Sequence, residues 1–121
     1  MPTVLVVDDE ADILNIFRMI LANRGYTVVT ADCGREAQFM LEIAAPDMAI
    51  LDDMLPDMTG GDICTQIKRE NPGMPVVMCS AGARVRDEEY IRRIGADRVL
   101  LKPFKSSEVM KILNHYFGVG A

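Results

Sequence analysis

Five short apolar runs punctuate this chain, and their rhythm limits what it can fold into. They are Val4–Val7, Thr27–Thr30, Met48–Leu51, Val76–Cys79 and Val99–Leu101. Most are rich in β-branched residues and nearly continuous in hydrophobicity, as strands covered on both faces are. Helical stripes lie between them. Ile13, Phe17, Ile20 and Leu21 share a helix face that Gly25 stops, and Ala37, Met40, Leu41 and Ala44 form a second stripe, ended by Pro46. Ile63, Cys64 and Ile67 precede Asn71-Pro72-Gly73; Tyr90, Ile91 and Ile94 precede Gly95; Val109, Ile112, Leu113 and Tyr116 follow Ser106, a candidate N-cap. Strands alternating with helices predict an α/β domain around a doubly wound, five-stranded parallel sheet, with five helices on two faces. No linker, repeat or low-complexity tract divides residues 1–121, so one domain is expected.

Composition narrows the function. Thirteen basic and 18 acidic residues give a formal net charge of −5, which argues against nucleic-acid binding by this domain and against docking on an anionic membrane. No apolar run approaches the roughly 20 residues of a membrane span, and Met1-Pro2-Thr3-Val4 lacks the basic start of a signal peptide. Cys33, Cys64 and Cys79 have no metal-ligand spacing and read as reduced thiols, so the expected location is cytoplasmic.

In a parallel α/β sheet, ligands bind beyond the carboxyl ends of the strands. Here those ends are Asp8-Asp9-Glu10, Asp52-Asp53, Ser80-Ala81 and Lys102-Pro103. Converging carboxylates repel one another unless a cation sits among them. Hard oxygen ligands suit Mg²⁺. A lysine and a hydroxyl opposite can donate to a phosphoryl group, and a carboxylate can be the nucleophile that forms an acyl phosphate. The set reads as a metal-assisted phosphoryl-transfer site.

VLVVDDE, PDMAILDDMLPDMTGGD, VVMCSA and LLKPF, in this order and at these strand ends, resemble the receiver domain of bacterial two-component response regulators. The resemblance covers essentially the whole chain. It implies a flavodoxin-like fold with strand order 2-1-3-4-5, the order of the family's chemotaxis member. Position by position, it implies that Asp52 accepts the phosphoryl group. Asp9 would hold Mg²⁺ directly and Asp8 often through water, with Asp52 and the Met54 backbone carbonyl completing the protein ligands. Ser80 would contact the phosphoryl group, Lys102 would pair with it, and the Lys102–Pro103 bond is commonly cis in the family. Asp53 stands where the family usually has an apolar or neutral residue, and strand alternation turns it away from the acceptor.

The resemblance further implies a phosphorylation switch without a substrate reaction of its own. A sensor histidine kinase or a histidine phosphotransfer protein would supply the phosphoryl group, and an unspecified effector would read the changed surface. A phosphorylation-dependent dimer through helix four, strand five and helix five is a further expectation. The residues flanking the path of attacking water are Met54 and Gly82, neither of which can orient water, so slow self-dephosphorylation is expected. Val99 occupies the position of the family's strand-five aromatic ring, so movement of Ala81–Arg86 and helix four is expected instead.

Two other functions compete. A Mg²⁺-dependent aspartyl phosphatase usually shows two aspartates separated by one residue after its first strand, whereas Asp8 and Asp9 are adjacent. A pseudo-receiver usually lacks an acid or the lysine, and this chain has them all. The charged stretch Arg84–Arg93 reads as a solvated helix face, and His115 as a surface residue. Gly118–Ala121 reads as a tail, either of a stand-alone receiver or of a domain cut from a longer regulator or hybrid kinase.

Overall fold

Parallel strands that bury both faces need helices on each side, and the chain supplies them in strict alternation. The computed structural model describes residues 1–118. Its elements are β1 (Thr3–Val7), α1 (Ala11–Asn23), β2 (Thr27–Ala31), α2 (Gly34–Ala44), β3 (Met48–Leu51), α3 (Gly60–Glu70), β4 (Val76–Ser80), α4 (Glu88–Ile94), β5 (Arg98–Leu101) and α5 (Ser106–Phe117), with a 3₁₀ turn at Ala83–Arg86. The sheet order is β2-β1-β3-β4-β5, and every pairing is parallel. The switch point falls between β1 and β3, as expected from the sequence.

Strand periodicity sorts the core into two layers. Val4, Val6, Met48, Ile50, Val77 and Cys79 face α1 and α5, where they meet Phe17, Leu21, Val109 and Leu113. Leu5, Val7, Ala49, Leu51, Val76 and Met78 face the other way, toward Ala37, Ile63, Ile67, Tyr90 and Ile94. Fully burying a side chain such as Leu21 or Ile63 contributes about 1.5–3 kcal/mol. Phe17 also stacks on Phe104, with ring centroids 4.9 Å apart.

The helix starts differ from the sequence expectation in one respect. Ser106 is the first helical residue of α5 rather than its cap. Lys105 holds the cap position, and its N–H donates to the Glu108 carboxylate at 2.9 Å. That acid satisfies the exposed donor, so no hydroxyl is needed there. Thr59 caps α3 with a reciprocal pair to Asp62. The α2 start is capped from far along the chain, for the Gly34 and Arg35 N–H groups donate to Asp57 at 2.8 and 2.9 Å. These bonds, Gly34 first, hold the exposed Asp57 carboxyl below its usual 3.8, and they tie the loop after β3 to α2.

The cysteines are free thiols. Burial pushes both Cys64 and Cys79 up to about 12, which keeps them protonated. His115 is exposed and meets the Tyr116 ring edge-on, at 4.7 Å. No helix among the described residues is long and apolar enough to cross a membrane. Of the segment read as a tail, Val119, Gly120 and Ala121 lie outside the described residues.

Candidate functional site

The ladder itself delivers the first two acids. The Asp8 N–H donates to Ala31 O at 3.1 Å, and the Asp52 N–H donates to Val7 O at 2.9 Å. Each residue is thus fixed one step beyond its strand, on adjacent strands. A third bond, Lys102 N–H to Ser80 O at 3.2 Å, does the same for β5 against β4. The sequence-predicted residues therefore reach one sheet edge by backbone pairing alone, before any side chain interacts.

Lys102 Nζ lies 2.6 Å from Asp8 Oδ2 and 3.5 Å from both Asp52 Oδ2 and Glu10 Oε1. Its ammonium bridges carboxylates that would otherwise repel across β1 and β3. Burial holds the Asp8 carboxyl above its usual 3.8, against the lowering effect of Lys102 and the Glu10 N–H. For Lys102, burial is the largest single influence and lowers its pKa. Asp8 and Asp52 together outweigh it, and the ammonium ends above its usual 10.5.

Asp8 and Asp52 are buried, whereas Asp9 and Glu10 are exposed. Carboxylate oxygens of Asp8, Asp9 and Glu10 lie within 4.8 Å of one another, a donor set of hard oxygens that fits Mg²⁺ in character. Glu10 thereby joins the cluster, a residue that the sequence places only in an acidic run. Asp52 Oδ1 accepts from the Met54 N–H at 3.3 Å, which turns the loop after β3 over the acid. The Ser80 hydroxyl accepts from the Gly82 N–H at 3.1 Å, so its hydrogen bond runs to its own loop. Met54 is 66% exposed and stands close to Gly82, since a Cβ on Gly82 would lie 3.6 Å from the Met54 sulfur. Behind β3, Gly60 packs so tightly that a Cβ there would collide with the Asp52 carbonyl oxygen. The Lys102–Pro103 peptide bond is cis.

Asp53 turns the other way, as strand alternation requires. It is 2% exposed. Oδ1 accepts from the Tyr90 hydroxyl at 2.6 Å and from the Gly61 N–H at 3.1 Å. Oδ2 accepts from Arg84 Nε at 2.9 Å and Nη2 at 2.7 Å. This corrects the reading of Arg84–Arg93 as a uniform solvated helix face. Arg84 belongs to the 3₁₀ turn and clamps a buried acid, while Tyr90 is buried on α4 and Val85 beneath the turn. Burial, then Asp53, push the Tyr90 hydroxyl up to about 12. Arg86, Glu88, Glu89, Arg92 and Arg93 are exposed, as expected.

Lys102 carries a prediction. Because Asp8 titrates above its unfolded value, its ionisation costs stability as pH rises through that raised pKa, and Lys102 offsets the cost. Lys102→Met removes the offset and raises the Asp8 pKa further. The variant should be clearly less stable than wild type at pH 7 and approach it at about pH 3.5, below the raised Asp8 pKa, where the Asp8 carboxyl is protonated. Urea unfolding at both values checks this, and an equal gap at both would contradict it.

Comparison with known proteins agrees with this geometry. The family model described as the response regulator receiver domain matches residues 4–114. The chain is 39% identical over 108 residues to the "Probable transcriptional regulatory protein TcrX" of Mycobacterium tuberculosis, covering 89% of this chain and 46% of that protein. It is 37% identical over 110 residues to the "Alkaline phosphatase synthesis transcriptional regulatory protein PhoP" of Bacillus subtilis, covering 88% and 44%. The chain thus spans about half the length of these curated relatives. Among solved structures, a CheY-like receiver domain protein from Methanospirillum hungatei superposes with a TM-score of 0.89 at 27% identity, covering 96% of this chain and 93% of that one. Chemotaxis protein CheY4 of Vibrio cholerae gives 0.86 at 30% identity, covering 95% and 98%. The chain belongs to the response regulator receiver domain family of two-component signalling systems.

Proposed function

We propose that this domain, over residues 1–121, is a phosphorylation switch in which Asp52 takes the phosphoryl group. One observation carries the reading: Lys102 Nζ stands between Asp8 and Asp52 at the sheet edge, 2.6 and 3.5 Å from their carboxylates. A buried acid with a neighbouring ammonium is a nucleophile whose product charge already has a partner. An Asp52 carboxylate oxygen bonds to phosphorus as the P–N bond of a phosphohistidine breaks, and the electron pair leaves on the imidazole. The donor is a sensor histidine kinase or a histidine phosphotransfer protein. Lys102 pairs with a phosphoryl oxygen, and the Ser80 hydroxyl donates to another. Asp8, Asp9, Asp52 and the Met54 carbonyl would hold Mg²⁺, which supplies charge neutralisation for the transferring group. The domain works in the cytoplasm and has no substrate reaction beyond its own phosphorylation and dephosphorylation. Its output passes to an effector, and phosphorylation favours a dimer through α4, β5 and α5.

Incubation with Mg²⁺ and acetyl phosphate should add about 80 Da, one phosphoryl group, in a form that Asp52→Asn abolishes. Mg²⁺ should also raise the melting temperature by binding the native state, and Asp9→Ala should diminish that shift. Label retained by Asp52→Asn and mapped to Asp53 would overturn the assignment.

The acyl phosphate is long-lived in this reading, because Met54 and Gly82 offer no carboxylate or amide to orient water. A Met54→Asn, Gly82→Glu double variant should dephosphorylate faster than wild type. Decay followed by mass spectrometry that is unchanged or slower would contradict it.

A further inference from the structure

Asp53 is a buried acid that phosphoryl transfer leaves unused. All four of its contacts lead to other elements. Gly61 opens α3, Tyr90 lies on α4, and Arg84 reaches it twice from the 3₁₀ turn after β4. The Arg84 guanidinium also lies over the Tyr90 ring, 5.0 Å from its centroid. Arg84 lies four residues after Ser80, the last residue of β4, whose hydroxyl accepts from the Gly82 N–H at the loop's root. The stretch from Ser80 to Arg84 is therefore held at both ends, by the Lys102 N–H on the Ser80 carbonyl at one and by Asp53 on Arg84 at the other, with the Ser80–Gly82 bond between them.

We propose that Asp53 is a positioning residue: through Arg84 it latches the loop after β4, and with it Ser80, in a resting arrangement that competes with engagement of a phosphoryl group on Asp52. The proposal rests on the roles given to Asp52 and Ser80 above. Asp52 and Asp53 leave β3 on opposite sides, so a loop drawn toward a phosphoryl group on Asp52 is drawn off Asp53. The two ends of the latch differ in exposure. The Arg84 side chain is 51% exposed and that of Asp53 is 2% exposed. On release, the guanidinium returns to water, while Asp53 keeps the Tyr90 hydroxyl and the Gly61 N–H. A bond made in one state and lost in the other shifts the equilibrium by its differential free energy, whatever its absolute strength.

The test is the half-saturating concentration of beryllofluoride in the presence of Mg²⁺, read from the amide shifts of residues 81–86. Asp53→Asn and Arg84→Met should each lower it about threefold to tenfold, the scale of one net hydrogen bond. The double variant should gain little beyond the larger single effect, because both changes cut the same contact. Simple electrostatics predicts opposite signs: losing a negative charge would tighten binding of the anionic mimic, and losing a positive one would weaken it. Opposite shifts, or none, overturn the latch. Should Asp53→Asn fail to fold, Arg84→Met decides alone, with tighter binding for the latch and unchanged or weaker binding against it. If wild type binds no beryllofluoride, the phosphoryl-site reading falls and the latch with it. If wild type binds and the variants match it, only the latch falls.

Discussion

Two aspartates in succession at the end of a strand must point to opposite sides, and the rest of this site follows from that constraint. The backbone of Asp52 is paired to Val7, so its carboxylate is delivered to the sheet edge beside Asp8. Asp53 is then forced back toward α3 and α4, into a place where a carboxylate is costly unless every lone pair is used. The chain uses them, with a hydroxyl, a backbone N–H and a guanidinium. One dipeptide thus serves both the acidic sheet edge and the packing beneath it.

On the Asp52 side, the balance depends on one ammonium. Without Lys102, Asp8 and Asp52 would face each other in a poorly solvated pocket. Its nearest carboxylate is Asp8, at 2.6 Å, and the more distant Asp52 contact, at 3.5 Å, leaves that carboxylate less tightly engaged. In the proposed switch the same ammonium would balance the resting acids and then meet the added phosphoryl group, with no new charge brought in. The exposed Asp9 and Glu10 stand at the rim, where solvent and a hydrated cation have access.

Much of this was legible in the residues. The β-branched runs gave the strands because burial on both faces leaves little room for any other pattern, and the acids, hydroxyl and lysine fell at the strand ends where a parallel sheet places its ligands. The Ser106 cap was misplaced by one residue, because Glu108 bonding to the Lys105 N–H is as good a start as a hydroxyl. The Arg84–Asp53–Tyr90 cluster was not legible. Its members are 31 and 37 residues apart, and an arginine in a charged stretch gives no local sign of a distant partner. The one available signal was an acid at Asp53 in a buried setting, which demands donors from somewhere.

The division of labour between Asp52 and Asp53 can be read directly from their side-chain carboxyl resonances. In protein labelled with ¹³C at aspartate Cγ and titrated with Mg²⁺, the resonances of Asp8, Asp9 and Asp52 should shift together along one binding curve, while that of Asp53, enclosed by Arg84, Tyr90 and Gly61, should stay in place. An Asp53 resonance that follows the curve while Asp52 stays still would contradict the assignment of the two acids.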